Sequence, residues 1–349
     1  MKNKFNIKLI VSAVLCAVLM TGCFQSDNVS EPKTTVVPKF TAETEIIEGR
    51  KNIYLIVKNL TSSYWNVVVD GVRDAGKELD CNIYSSGSTS ELQWELQASL
   101  IDKAISEGAD AIILAPNDSV MLAPKVSEVY SSGVPIILVD TVVNTEDYTI
   151  CYMTDNLRAG QDAAKEMINR FKESGISEEQ EAYVAIQVGG ISSQTINERL
   201  AGFCQYWTKN APEKWKIIDE VKFNEGDADY AVVCAEQLLD KYTNINGVFG
   251  TNNGSTVGFA RVIKDRERKD IAVVGFDYSD EMKELILDKD YNASTMLQRQ
   301  YSMGQYAVQS ALDALDGKKS DIKFVDTGVV TVNSSTISDS EIQEILSHN

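Results

Sequence analysis

Two apolar runs in this chain stop at a carboxylate: "AVVGFD" closes on Asp277 and "PIILVD" on Asp140. A third, "GVFGTNN", ends in Asn252 and Asn253, and "AIILAPND" ends in Asn117 and Asp118. Carboxylates and amides at the ends of core strands can exchange hydrogen bonds with hydroxyl groups. The first run, "NIYLIVK", ends on Lys58, and "NLTSSYW" beyond it carries Ser62, Tyr64 and Trp65. Aromatic faces match the C–H face of a ring that is polar at its edges. The set suits a small neutral polyhydroxylated ligand that is held rather than converted. Each residue also has a plainer role. Asp140 and Asp277 could cap the helices after them, Tyr64 and Trp65 could be core, and Lys58 could be a solvated strand-end lysine.

Catalysis has less support. The only histidine, His348, lies beside the C-terminus, which removes histidine triads, histidine metal sites and histidine acid–base chemistry from the core. There is no G-x-S-x-G elbow, no P-loop and no G-x-G-x-x-G after the first strand. Gly189-Gly190 reads as a turn. The reading is no enzyme, no cofactor and no metal.

The elements that must position these residues alternate. After the strand "NIYLIV", apolar residues at Val68, Val72, Ala75 and Leu79 mark one face of a helix. Strands follow at "CNIYSS", "ADAIILA", "PIILVD" and "YTICYMT", with helices over 90–107 and 119–132 and another from about 156. The second half repeats the scheme with "AYVAIQV", "KIIDEVKF", "GVFGTN" and "IAVVGFD", and helices near 193–209, 227–243, 254–265 and 279–289. The strand "ASTML", a helix near 302–316, the strand "KFVDTGVV" and a short terminal helix complete the chain. Alternation implies parallel sheets covered by helices on both faces. "ADAIILAPNDS" is echoed by "INGVFGTNNGS" and "VPIILVD" by "IAVVGFD", in the same order. The echo predicts an α/β chain of two similar three-layer domains rather than one closed ring of strands.

The 349 residues suffice for two such domains. The net charge of −18 becomes −21 once Lys2, Lys4 and Lys8 leave with the leader, and so acidic a surface disfavours nucleic acid. In that leader, "MKNKFNIK" is basic and "LIVSAVLCAVLM" is apolar but short of the roughly 20 residues of a membrane span. "LMTGC" then places small residues before Cys23, the pattern of a signal peptide. It resembles a bacterial lipobox, whose cysteine is lipidated and becomes the mature N-terminus. The polar stretch after Cys23 reads as a flexible tether. Cys81, Cys151, Cys204 and Cys234 form no C-x-x-C pair and read as buried thiols, with a Cys204–Cys234 disulfide left open.

With "GADAIILAP", "GVPIILVD", "TDN" at 154–156, "ERLAGF", "VFGTNN" and "VVGFD", residues 52–335 resemble the type I periplasmic binding proteins of the ribose and galactose group. These are the soluble receptors of sugar ABC importers. The stretch also looks like the effector-binding core of LacI-type repressors. The resemblance implies ligand contacts from Ser62, Tyr64, Trp65, Asp140, Arg199, Asn252, Asp277 and Gln298. Lys58 resembles a lysine used by rhamnose and autoinducer-2 binders. It further implies hinge crossings near Thr154-Asp155, Gln298-Arg299 and Asp326-Thr327. The expected organisation is a signal peptide over 1–22 and a tether over 23–51. Domain 1 is then 52–154 plus 299–326, and domain 2 is 155–298 plus 327–349. Three positions depart from the ribose pattern: Thr141 replaces a usual Arg, and Ala115 and Ser62 each replace an Asn. These losses of donors disfavour ribose itself. The implied protein is a monomer outside the cytoplasm, anchored to the membrane by lipid. It binds a monosaccharide and delivers it to an ABC permease and its ATPase, or else reports to a sensor kinase or chemoreceptor.

Changing Cys23 to Ser should release the mature protein from membranes. Mass spectrometry of the native N-terminus checks the premise: an unmodified terminus elsewhere overturns it.

Overall fold

The computed structural model describes residues 37–348; the expected signal peptide and Cys23 lie outside the described residues. The first lobe is built from β1 (Thr41–Ala42), β2 (Asn52–Val57), α1 (Ser63–Glu78), β3 (Asn82–Gly87), α2 (Trp94–Ser106), β4 (Ala111–Leu114), α3 (Ala123–Ser131), β5 (Ile136–Val139) and β6 (Ile150–Met153). The second holds α4 (Asn156–Glu173), β7 (Ala182–Val188), α5 (Gln194–Asn210), β8 (Trp215–Phe223), α6 (Ala228–Lys241), β9 (Ile245–Gly250), α7 (Asn253–Asp265), β10 (Ala272–Phe276), α8 (Asp280–Leu287) and β11 (Ala293–Gln298). The chain then returns through α9 (Gln300–Leu315) and β12 (Phe324–Asp326) to the first lobe. It ends in the second with β13 (Val329–Asn333) and α10 (Ser340–Leu346).

The expected pair of similar α/β domains is the observed architecture. One sheet runs β1-β3-β2-β4-β5-β6-β12 and the other β8-β7-β9-β10-β11-β13. The order β3-β2-β4-β5-β6 repeats as β8-β7-β9-β10-β11, so the echoed segments β4 and β9, and β5 and β10, hold equivalent places. Strands β2, β4, β5, β9 and β10 are almost wholly buried, because helices cover both faces; hence their continuous apolar runs. Four apolar clusters form the core, one on each face of each sheet. In each sheet the two strands that follow β2 or β7 in the chain lie on opposite sides of it. That switch point opens a crevice at the strands' carboxyl ends.

Two expectations need correction. Residues 37–51 are not all tether. β1 pairs antiparallel with β3, Glu43 is bonded to Arg73, and Phe40 packs edge-on against Tyr54. A two-residue strand leaves no periodicity to read. "KFVDTGVV" is also not one strand. β12 pairs with β6 and β13 with β11 in the other lobe. The chain turns between them at Gly328, whose φ of +84° favours glycine. Cys81, Cys151, Cys204 and Cys234 are free thiols, so the open Cys204–Cys234 pairing is absent.

Helices α4 and α5 approach closely at Gly160, where a Cβ would collide with the carbonyl oxygen of Arg199. Gly160→Ala should destabilise by about 1–3 kcal/mol through overpacking, despite the better helix propensity of Ala. A lowered urea midpoint checks this; an unchanged or raised midpoint contradicts it.

Candidate ligand-binding site

A cavity of about 370 Å³ lies between the lobes, at the carboxyl ends of both sheets. Lys58, Ser62, Tyr64, Trp65, Asp140, Arg199, Asn252, Asp277 and Gln298 all line it. Folding thus brings together the nine residues that the sequence analysis named as ligand contacts. Asn117 and Asp118 are not among the lining: Asn117 bonds to Ser88 and Ser90, and Asp118 accepts from the backbone of Val120 and Met121.

Asp140 and Asp277 follow β5 and β10 directly, with φ of +65° and +68°. This left-handed turn is uncommon for residues other than glycine, and Asp is among those that tolerate it. It swings each carboxylate off the strand into the crevice. Neither acid caps the helix after its strand. Residues 140–149 lead to β6 with no helix between, and α8 is capped by Ser279.

Lys58 is not solvated. It is 3% exposed, and its ammonium donates to Asp140 Oδ2 at 2.8 Å, Thr141 Oγ1 at 2.7 Å and Ser193 Oγ at 3.4 Å. An ammonium has three donors, so all are engaged. Tyr64 OH donates to Asp140 Oδ1 at 2.8 Å. Burial works against ionisation of Asp140, but Lys58 and Arg199, with hydrogen bonds from Lys58 and Thr141, hold its carboxyl below the usual range. Tyr64 and Trp65 belong to the first lobe's core and to the cavity wall together.

On the other lobe, Arg199 is buried. Its Nε donates to Asn156 Oδ1 at 2.8 Å, Nη1 to the Thr251 carbonyl at 3.0 Å, and Nη2 to Gln298 Oε1 at 2.8 Å. Its guanidinium also lies 4.0 Å from the Phe276 ring centre. Gln298 accepts from Thr154 Oγ1 at 2.9 Å and donates to Asp277 Oδ1 at 2.8 Å. Thr154 and Gln298 stand where the chain crosses between lobes. Asn252 caps α7 through its Oδ1, which accepts from Ser255 N at 3.1 Å. Its amide nitrogen is then what it can offer a ligand.

Asp277 differs from Asp140. Desolvation is the main cause that pushes its carboxyl up to about 6; Asp140 adds to the rise, and Arg199, Gln298 and the backbone of Asn253 oppose it. Across the cleft stands Glu91, a half-buried residue that the sequence reading missed. Burial, then Asp140 and Asp277, raise its carboxyl against the pull of Lys58 and Arg199. The cavity is also lined by Thr195 and by Glu225 to Asp229. Glu91 and Glu225 follow β3 and β8, so the strand-end rule applied to those two strands would have found them.

The lobes touch beside the cavity. Thr195 Oγ1 lies 2.7 Å from Thr141 Oγ1 and 3.0 Å from the Asp140 carbonyl oxygen, with one proton to give to either, and Ser119 N donates to the Ser192 carbonyl at 3.2 Å.

The sequence pattern of the periplasmic binding protein domain matches residues 53–319. This chain belongs to the periplasmic binding protein family. It is 26% identical over 223 residues to a ribose import binding protein of Bacillus subtilis, covering 64% of this chain and 68% of the relative. A carbohydrate transporter solute-binding protein from Agrobacterium radiobacter, solved in complex with D-arabinose, superposes with a TM-score of 0.80 at 27% identity. That match covers 86% of this chain and 99% of the other. A XylFII–LytSN complex contains a chain that matches at a TM-score of 0.72 and 27% identity, with coverages of 82% and 98%.

Because its carboxyl titrates near 6 instead of the usual 3.8, Asp277 makes the unliganded fold less stable as pH rises from about 4 to above 6. The unfolded chain releases this proton first, and the penalty then persists at higher pH. Asp277→Asn keeps the shape and tolerates the same backbone turn. It should therefore raise unliganded stability at pH 8 by up to about 3 kcal/mol, with no gain at pH 4. Melting curves at both pH values check this; a variant that melts below the parent at pH 8 contradicts it.

Proposed function

We propose that this periplasmic binding protein is the extracytoplasmic solute receptor of an ABC importer, anchored to the membrane by lipid on Cys23. It closes its two lobes on a monosaccharide and presents the sugar to a permease coupled to an ATPase. It performs no chemistry on the ligand, needs no cofactor, binds no nucleic acid and acts as a monomer. The observation that carries the reading is the cavity itself. Carboxylates, amides, a guanidinium and an aromatic wall from both lobes converge on one small volume. Such a site can hold a polyol by many hydrogen bonds.

Hinge closure is the mechanism. The chain passes between lobes three times, which favours rotation of one lobe against the other over separation. Ligand that touches both lobes favours the closed state by its extra contacts there. Ser193 and Thr195, on the second lobe, meet Lys58 and Asp140, on the first, so closure also completes the environment of the first lobe's acid. The sugar assignment draws support from relatives named as ribose and D-apiose import binding proteins. The departures at Ala115, Thr141 and Ser62 remove donors and argue against ribose. A second reading, ligand sensing, rests on one observation: XylFII, similar to this chain, is also solved in a complex with LytSN.

A thermal-shift screen of monosaccharides should find one that stabilises the protein by about 2.7 kcal/mol at a hundredfold excess over Kd. If only amino acids or peptides shift the melt, the sugar reading is wrong. Co-purification from membranes then separates the two roles: a permease favours import and a membrane sensor favours signalling.

A further inference from the structure

The charges that line the cavity do not balance. On its inner wall Asp140, Asp277 and Glu91 face only Lys58 and Arg199, three acids against two bases. At its mouth Glu225, Asp227, Asp229, Asp280 and Glu281 face only Arg261, five acids against one base.

The inner bases are already committed. Lys58 is held by Asp140 at 2.8 Å, with its remaining donors on Thr141 and Ser193. Arg199 hydrogen-bonds to the neutral acceptors of Asn156, Thr251 and Gln298. Asp277 therefore leans on an amide, Gln298, and a backbone N–H of Asn253. Among the described residues, neither Asp277 nor Glu91 has a cation within ion-pair distance. Arg261 divides itself between Asp229 at 3.2 Å and Glu281 at 2.9 Å. No group of three or more His, Cys, Asp or Glu among the described residues is arranged to hold a metal ion.

A buried carboxylate without a counter-charge is costly. An anionic solute such as a uronate or a sugar phosphate would add to that cost. A neutral polyol would supply hydroxyls but leave the excess in place. A protonated nitrogen would cancel it, and the acidic mouth would draw such a solute inward.

Resting on the reading of this cavity as a solute site, we propose that its ligand is a cationic polyol. It would be an amino sugar or similar aminated carbohydrate, with Glu91 of one lobe and Asp277 of the other as counter-charges. Binding of such a cation would pull the Asp277 carboxyl down from about 6 and release protons near that pH.

Calorimetry on the protein with D-glucosamine, D-galactosamine, D-mannosamine and 6-amino-6-deoxy-D-glucose tests the idea. Each is paired with its parent hexose and its N-acetyl derivative. At least one amine should bind about tenfold or more tighter than its parent. Its acetylated form, which keeps the nitrogen and loses the charge, should return to the parent's affinity or worse. Glu91→Gln and Asp277→Asn should each reduce the amine-over-hexose ratio, and added salt should slow association of the amine. The comparison among wild-type ligands needs no variant to fold. A parent hexose that binds as tightly as its amine overturns this inference and leaves the sugar-receptor reading intact. If neither amines nor hexoses nor any other monosaccharide binds, the receptor reading itself falls.

Discussion

The pocket rests on one buried ion pair. Lys58 and Asp140 lie 2.8 Å apart with side chains almost fully out of water, an arrangement that desolvation makes expensive unless the ammonium protons and both carboxylate oxygens find further partners. Here they do. Tyr64 and Thr141 donate to the carboxylate, and Thr141 and Ser193 accept from the ammonium. Tyr64 is fixed in turn by the first lobe's core, so the pair joins that core to the cavity wall. Ser193 comes from the second lobe. The pair is therefore fully satisfied only when the lobes meet, which couples the electrostatics of the floor to the relation between lobes.

The repeated fold makes the second acid a natural comparison. Asp140 and Asp277 leave equivalent strands with nearly the same left-handed backbone, yet their charges are treated differently. A lysine touches the first. An amide and a more distant guanidinium serve the second, and burial then prevails. One geometry thus produces an anchored anion and an acid that responds to its surroundings. Environments that separate two similar groups in this way are common where a site has a task.

Arg199 gives the second lobe its own organising centre. It joins α4 at Asn156, the end of β9 at Thr251 and the end of β11 at Gln298. Gln298 continues to Thr154 and Asp277. A cation in the cleft wall is thereby tied to two of the chain's crossings between lobes. Any shift of Gln298 would move the amide on which Asp277 depends, which places the cavity wall and two of the crossings between lobes in one hydrogen-bonded network.

Much of this was legible in the sequence by itself. Continuous apolar runs such as "AIIL" and "IILV", separated by helical periods, dictate parallel strands buried on both faces. The echo between halves dictates two like domains. The acids and amides closing those runs had to emerge at the carboxyl ends, because successive parallel strands all point the same way. Other features were decided only by the tertiary structure. A strand-end lysine reads as solvated until β5 and α5 supply Asp140 and Ser193. Asp140 reads as a cap until the next element proves to be β6. Glu91 and the acidic stretch from Glu225 sit in loops with no period, and they join the site only because β3 and β8 lie beside β2 and β7. β1 and the division of β12 from β13 likewise depend on which edge is open to receive them. Local pattern records whether a residue is buried; which charge it meets there depends on sheet order and on the packing of one lobe against the other.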